Sequence, residues 1–324
     1  MTRIPAFDGI RGVAVLMIVT CHVCYGAGLG VWGQYLGGTF NTVFFLLSAI
    51  LLGIVNKSEN GGGKTSLHPF LFKRWLRLAA SLYPFLVICT LLYVLTEVSF
   101  SVKDLILNFL MLGWIGKLPG LGHLWFVTMI VACYVLFAAL RQRPERFRHP
   151  VVWLLFLPLS CAIDALNLPG YSCLVLMYCG LTFLYADNVM HWCHTVRMVW
   201  LMIGAVTVNA GVFFGIAGGI LQVGHPSYYY ATACAGITAF LLLFRMFIYI
   251  RPGRFLCTAS TISYELYLVH HLFCLGEYSW FVRWPSVSPL YVSLFVFVAS
   301  SVGAWFLHEI SRRIVLSIQK RCTA

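Results

Sequence analysis

An arginine and a histidine stand in the first apolar stretch of the chain, which reads FDGIRGVAVLMIVTCH. In a helix, Arg11 and His22 are about 16 Å apart along the axis, because each residue rises about 1.5 Å. Eleven steps of about 100° bring the two side chains to within about 20° of one face. A neutral imidazole can take a proton from a hydroxyl group, and a guanidinium can stabilise a developing oxyanion. The spacing predicts a shared cavity, although an anchoring arginine and a packing histidine would give the same pattern.

A basic group follows in the segment FLFKRWLRL, which contains Lys73, Arg74 and Arg77. Arg74 and Arg77 are three residues apart, so in a helix they share a face. Two guanidinium groups beside an ammonium group suit the oxygens of a phosphate. The pattern therefore predicts an anion site, or else the positive residues that anchor the cytoplasmic end of a membrane span.

A second buried histidine is expected in the segment STISYELYLVHHLF, where Ser263, Tyr267 and His270 recur at helical spacing. His270 lies about ten residues from the cytoplasmic end of the predicted span, so it approaches the middle of the membrane as His22 does. Ionisable side chains in a span usually face a cavity or a partner. Two deep histidines together indicate a polar cavity.

Other ionisable groups have simpler interpretations. Glu309 precedes Arg312 and Arg313 and most simply forms an ion pair at the end of a helix. Cys21 and Cys24 flank His22, but no matching second pair of ligands accompanies them, so we expect no metal site. Most of the twelve cysteines lie in apolar stretches, and we expect free thiols there.

Composition identifies the elements that must position these residues. Over 324 residues the hydrophobic set makes up 60% and the charged set 10%, and the mean hydropathy is +0.87. Such a chain is too apolar for a soluble domain, and predicts an all-α integral membrane protein of about ten transmembrane helices. The segment 104–116 is apolar but short, so we expect an interfacial or re-entrant piece there. The expected spans are 10–28, 40–56, 75–96, 122–140, 151–168, 172–187, 198–219, 229–250, 260–281 and 288–309.

The distribution of positive charge predicts the orientation. With this set of spans, all of the 22 Lys and Arg residues except Lys103, Lys117 and Arg283 fall on one side. Positive residues are retained in the cytoplasm, so we expect both termini there. Topology also explains most of the +12 net charge, which therefore does not indicate a nucleic-acid partner. We expect the first helix to be retained, and residues 1–324 to form a single transmembrane domain.

Several segments resemble, in order, acyltransferase family 3, membrane proteins that include bacterial O-antigen and exopolysaccharide O-acetyltransferases. The opening FDGIRGVAVLMIVTCH is similar to the family's first helix, with its Arg and His at Arg11 and His22. FFLLSA resembles the FFxxSG motif except that Ala49 replaces Gly, and KRWLRL resembles the Arg-x-x-Arg segment. HLWFVT, SYELYLVH and HEISRRI resemble the family's HLWFL, SYxxYLxH and terminal acidic-basic segments.

The resemblance implies a membrane O-acyltransferase that moves an acyl group, usually acetyl, from a cytoplasmic CoA thioester to a sugar hydroxyl. His22 would be the catalytic histidine, Arg11 would orient or bind substrate, and Lys73, Arg74 and Arg77 would meet the donor. Acetyl-CoA would be a substrate, with no tightly bound cofactor. The acceptor would be a glycan or lipid-linked sugar, and the location the bacterial inner membrane. Residues expected to line or support the cavity are Asp8, Ser48, Trp125, Tyr264, Tyr267, His270 and Glu309.

Alternatives remain open at this stage. A carrier or flippase for a lipid-linked glycan would also place deep His and Arg residues along a pathway, but we find no internal repeat of the kind common in transporters. A catalytically silent sensor would leave the Arg11 and His22 pair unexplained. For an enzyme, direct transfer and a covalent acyl-histidine are both compatible with the residues. No appended SGNH hydrolase-like domain is expected, so the chain would act alone, as a homo-oligomer, or with a partner acyl carrier.

Overall fold

The fold is all-helical. The computed structural model describes residues 4–60, 67–142, 147, 149–165 and 171–323, and these residues contain α-helices, a 3-10 turn at Gly122–Leu124 and no strand. The helices are α1 (Pro5–Gly26), α2 (Gly30–Asn60), α3 (Leu67–Leu95), α4 (Val102–Phe109), α5 (Trp125–Gln142), α6 (Pro150–Leu154), α7 (Phe156–Ala165), α8 (Tyr171–Leu184), α9 (Ala186–Thr195), α10 (Met198–Ala217), α11 (Pro226–Tyr249), α12 (Arg254–Thr261), α13 (Ser263–Cys274), α14 (Trp280–Arg283) and α15 (Pro289–Thr323).

Seven helical segments in the described part of the chain are long and apolar enough to cross a membrane. They correspond to seven of the ten predicted spans, namely those in α1, α2, α3, α5, α10, α11 and α15. An eighth span arises if α8 and α9, which meet at a bend of 78°, are counted together. The integral membrane class is thus confirmed, while the number of about ten and the cytoplasmic termini stay predictions.

The remaining predicted spans are helical but interrupted. The span predicted at 151–168 is divided between α6 and α7, and its residues 166–168 lie outside the described part of the chain. The span predicted at 260–281 is divided at Ile262, between α12 and α13. The segment 104–116 begins within α4, which has eight residues, about 12 Å of helix, and is therefore too short to cross a bilayer. Ser101 caps it by accepting a hydrogen bond from the Asp104 amide at 3.3 Å.

The chain divides into two compact units. The first comprises the described residues of Met1–Cys21, Gly30–Leu67 and Ala132–Thr261. Within it, α2 packs against α8 and α11, and α10 packs against α11. A polar side chain joins three of these helices: Asn209 of α10 accepts a hydrogen bond from the Tyr35 hydroxyl of α2 at 2.8 Å and donates one to Thr238 Oγ1 of α11 at 3.1 Å. Its amide also donates to the Ala205 carbonyl at 2.8 Å.

The second unit comprises the described residues of His22–Leu29, His68–Val131 and Ile262–Ala324. Within it, α13 packs along α15. The connection between α4 and α5 is fixed by side-chain bonds to its backbone. Asn108 Nδ2 donates to the Gly116 carbonyl at 2.7 Å, and Thr128 Oγ1 donates to the Met111 carbonyl at 3.0 Å.

Two glycines let this connection approach the end of α13. Gly120 has φ +66° and Gly276 has φ +83°, a left-handed conformation that side chains disfavour. A Cβ atom added at Gly276 would lie 2.5 Å from the Cα atom of Gly120, so only a glycine fits there. The close approach brings the carbonyl of Gly120 within reach of α13, where it accepts a hydrogen bond from a histidine.

Candidate active site

Four histidines of the second unit form a packed group, which we call the histidine cluster: His22, His123, His270 and His271. The ring of His22 lies 4.8 Å, centroid to centroid, from the rings of both His270 and His271. The rings of His123 and His271 stack at 4.3 Å, with planes 18° apart. His270 is 0% exposed, His123 3% and His271 7%, while His22 is half-buried. The cluster is a largely buried polar site.

Three elements bring the imidazoles together. His22 lies one turn before the end of α1, and His270 and His271 are adjacent in α13. His123 lies in the 3-10 turn directly before α5, where the tight turn aims its ring back toward α13. The structure thus brings His22 and His270, the two histidines that the sequence singled out, into one cluster, and their roles stay predictions.

Backbone carbonyls fix the orientation of three of the rings. His270 Nδ1 donates to the Leu266 carbonyl at 3.0 Å, one helical turn earlier. His271 Nδ1 donates to the Gly120 carbonyl at 2.6 Å. His123 Nε2 lies 3.2 Å from the Leu268 carbonyl and donates to it. A carbonyl oxygen can only accept, so each of these nitrogens carries a hydrogen.

A direct bond joins the two histidines that the sequence singled out. His270 Nε2 lies 3.1 Å from His22 Nδ1, the distance of a hydrogen bond between imidazole nitrogens. Because His270 is also held by the Leu266 carbonyl, the ring of His22 is connected through it to the backbone of α13. Pairing of a histidine with a fixed partner is the arrangement by which proteins orient an acid-base imidazole.

The aromatic ring of Tyr267 packs against His123 and His270 of the cluster. The Tyr267 hydroxyl donates to the carbonyl of His123, and its ring packs on Phe126 with 5.1 Å between centroids. Trp125, at the first position of α5, packs on Trp114 at 6.1 Å. Tyr267 thus contacts His123, and its supporting role stays a prediction. The supporting roles of Trp125 and Tyr264, a half-buried residue of α13, stay predictions.

The predicted anion site lies in the second unit, near the start of α3. Lys73 and Arg77 are exposed, and Arg74 is half-buried with its guanidinium 5.7 Å from the centroid of the Phe70 ring. Cation-π contact of this kind attracts a guanidinium to the face of an aromatic ring. The three side chains are on one helix as predicted, and their contact with a donor substrate stays a prediction.

Three predicted site residues belong to the first unit. Asp8 and Arg11 lie three residues apart in α1, and Asp8 Oδ1 accepts a hydrogen bond from Ser260 Oγ at 3.4 Å. Ser48 is half-buried in α2, followed by Ala49, which is fully buried. Because α1 is one continuous helix from Pro5 to Gly26, Arg11 and His22 keep the helical spacing that suggested a common role. The role itself stays a prediction.

Glu309 forms the ion pair that its neighbours suggested. Arg312 binds both of its carboxylate oxygens, at 2.8 and 2.9 Å, and Arg313 Nε donates to Oε1 at 2.9 Å. These contacts lie on the surface of α15, where an ion pair contributes little to stability. A supporting role for Glu309 in the cavity stays a prediction.

Sequence reasoning missed two members of the cluster and one buried acid. The sequence contained one signal for each of the two histidines. His123 stands in the HLWFVT segment, and His271 follows His270 directly. Glu265 is buried, accepts a hydrogen bond from Ser81 Oγ at 2.8 Å and lies 3.4 Å from His308 Nδ1. Its partners come from α3 and α15, which no local pattern could reveal.

The described residues contain no group of three His, Cys, Asp or Glu side chains arranged to hold a metal ion. The four imidazoles instead direct hydrogens to backbone carbonyls or to one another. What such an arrangement can do is move protons at a buried site, since each neutral ring has one donor and one acceptor nitrogen.

Comparison with known proteins gives one clear result. The family model described as an acyltransferase domain, that of acyltransferase family 3, matches residues 4–309. No curated protein and no solved structure matches the chain. The matched range includes nearly the whole chain and every member of the histidine cluster. The chain therefore belongs to acyltransferase family 3 and is a membrane acyltransferase.

Proposed function

We propose that this protein transfers an acyl group, acetyl in the simplest case, from acyl-CoA to a hydroxyl of a glycan or related acceptor, with His22 as the general base. The observation that carries the proposal is the 3.1 Å bond between His22 Nδ1 and His270 Nε2 inside a buried histidine cluster. Membership of an acyltransferase family supplies the reaction class.

The chemistry requires one proton transfer and one bond exchange. The acceptor oxygen attacks the thioester carbonyl while His22 takes its proton, and the C–S bond then breaks as the CoA sulfur leaves and is protonated. A positioned general base contributes about 10²- to 10⁴-fold to the rate of such a step. Hydrogen-bond donors beside the thioester would stabilise the oxyanion that develops on its oxygen. A covalent acyl-histidine, formed when His22 attacks the thioester itself, is the alternative route.

Acyl-CoA carries several phosphate oxygens, and the basic group of α3 has the chemistry to bind them. Arg74 and Arg77 offer planar forks of donors, and Lys73 adds a compact charge. Lys73 and Arg77 are exposed, so they are accessible to a donor that arrives from water. We place the donor's phosphates there and the protein in the bacterial inner membrane.

The test is transfer of label from radioactive acetyl-CoA in membranes that contain the wild type or His22→Ala at equal expression. We expect transfer above that of membranes without the protein, and a loss of about 10²- to 10⁴-fold in the variant. His191→Ala is the matched control, because His191 is an exposed histidine of the first unit, and it should transfer at the wild-type rate. Unchanged transfer in His22→Ala would exclude His22 as the base.

The carrier hypothesis gives a different outcome in the same membranes. A flippase would move a lipid-linked glycan between leaflets without consuming acyl-CoA. If the wild type moves such a lipid and transfers no label, the transport function replaces the one proposed here.

A further inference from the structure

His270 is bonded through both of its ring nitrogens. Nδ1 lies 3.0 Å from the Leu266 carbonyl, and Nε2 lies 3.1 Å from Nδ1 of His22. The side chain is 0% exposed, so its two contacts are made away from bulk water. Both partners are in the second unit, and the carbonyl belongs to the preceding turn of the same helix, α13.

The two contacts determine where the hydrogens are. The Leu266 carbonyl can only accept, so His270 Nδ1 carries a hydrogen. A cationic imidazole is costly at a fully buried position, so the ring carries one hydrogen and Nε2 has the lone pair. His270 Nε2 can therefore only accept, and His22 Nδ1 is the donor across the 3.1 Å contact. In a neutral His22 this leaves the lone pair on Nε2.

We propose that His270 is a positioning residue that holds His22 in the tautomer with its hydrogen on Nδ1 and its lone pair on Nε2. This inference rests on the proposed function, because the tautomer matters only if His22 is the base. It adds that Nε2 is the atom that accepts the proton and that a neutral histidine does the orienting, a task often performed by a carboxylate.

The same bond also helps His22 after it has taken the proton. His22 is then an imidazolium, and its Nδ1–H donates to His270 from a charged group. Hydrogen bonds with an ionised donor are shorter and about twice as strong as neutral ones. The bond thus strengthens as the reaction proceeds, which favours the transition state over the ground state.

Two substitutions separate the contacts of His270. The amide of Gln reaches about as far as Nε2 of histidine, so His270→Gln keeps an acceptor for His22. The shorter amide of Asn reaches only as far as Nδ1, so His270→Asn keeps a donor for Leu266 and loses the contact with His22. The two variants are similar in polarity, and a general loss of packing would affect both.

The direct test is nitrogen NMR of the whole protein in lipid nanodiscs with 15N-labelled histidine, since the shifts of the two ring nitrogens report the tautomer. The signals of His22 are identified by their absence in His22→Gln. We expect the wild type to hold hydrogen on Nδ1 of His22, His270→Gln to preserve that tautomer, and His270→Asn to shift it toward Nε2–H. A wild-type His22 with its hydrogen on Nε2 would overturn the inference, even if neither variant folds.

Kinetics supply the second readout. We expect His270→Asn to lower kcat about 10- to 100-fold with little change in the KM for acyl-CoA, and His270→Gln to recover most of the loss. Equal losses in the two folded variants, or a tautomer of His22 that is unaffected by His270→Asn, would overturn the inference. If the wild type transfers no acyl group, the proposed function fails, while the NMR result still decides whether His270 sets the tautomer.

Discussion

Each of the two compact units buries polar side chains among its helices, but the polar side chains of the first unit use their hydrogen-bonding atoms differently from those of the second. In the first unit, Asn209 accepts from the Tyr35 hydroxyl and donates to Thr238 and to the Ala205 carbonyl, so its amide is committed to neighbouring helices and to its own. In the second unit, His123, His270 and His271 each donate one ring N–H to a backbone carbonyl, and a neutral ring then has a lone pair on its other nitrogen. His123 Nδ1, for instance, is buried without a hydrogen-bond partner.

We infer that this difference separates a polar group with a structural role from one that can take part in chemistry. An amide cannot take up a proton near neutral pH, and once its donors and acceptor are bonded it can only hold helices together. An imidazole that donates with one nitrogen still has a basic atom. Burial of a polar group in a membrane helix is therefore a weak indicator of function. A buried ring nitrogen that keeps its lone pair, because the backbone is bonded to the other nitrogen, is a stronger indicator.

The basic group of α3 gives the largest expected effect outside the cluster. It belongs to the same unit as the histidines, but Lys73 and Arg77 are exposed, so it should affect binding and not the chemical step. Replacing Arg74 and Arg77 together by Ala should raise the KM for acyl-CoA about tenfold and leave kcat nearly unchanged. The expected rise is modest because exposed charge pairs are weak. Initial rates over a range of acyl-CoA concentrations measure both constants.

The control is Arg254→Ala, which removes an exposed arginine of the first unit and should leave both constants unchanged. An equal rise in KM in this control would mean that net positive charge, and not the α3 group, attracts the donor. An effect of the double variant on the acceptor alone would reverse the assignment of the donor site.

Asn209→Leu tests the structural side of the comparison. It removes the bonds to Tyr35 and Thr238 and should lower the free energy of unfolding by about 1 kcal/mol, in line with side-chain bonds between membrane helices. Transfer per folded molecule should not change, because Asn209 makes these bonds within the first unit. The difference in unfolding free energy is measured by circular dichroism as the concentration of a denaturing detergent is increased. A large loss of transfer per folded molecule would contradict a purely structural role for Asn209.

Two tyrosines provide the smallest and most closely matched pair of changes. Tyr35→Phe and Tyr267→Phe each remove one hydroxyl that donates a hydrogen bond, to Asn209 in the first unit and to the His123 carbonyl in the second. Each should cost about 0.6 kcal/mol in stability. Only Tyr267→Phe should also slow transfer, by about threefold, because its bond fixes a member of the cluster. Equal transfer rates in the two variants would show that the position of His123 is not critical.

The sequence was sufficient for the helical membrane class because apolar stretches of span length recur along the chain. Pro5, which needs no hydrogen-bond acceptor at the first helical position, marks a start of α1 five residues before the predicted one. The breaks at Leu155 and Ile262 could not be predicted, because an apolar composition is compatible with one long helix or with two short ones.

The site was only partly predictable for a related reason. His22 and His270 stood out because they are ionisable residues in apolar spans. The proximity of His123 to these two histidines is visible only in the structure. A 3-10 turn orients its ring, and a hydrogen bond from the Tyr267 hydroxyl holds its backbone carbonyl. The contact of His271 depends on the close approach of Gly120 and Gly276, which are separated by about half of the chain. Contacts of this range follow from tertiary packing and leave no local pattern.

The central claim is that His22 performs chemistry while the Asn209 group performs only a structural task. The most direct test measures, for purified wild type, His22→Gln and Asn209→Leu in nanodiscs, the rate of acyl transfer from labelled acyl-CoA per folded molecule together with the unfolding free energy. We predict a loss of about 10²- to 10⁴-fold in rate with nearly unchanged stability for His22→Gln, and the reverse for Asn209→Leu. Retention of the wild-type rate per folded molecule in His22→Gln would contradict the account.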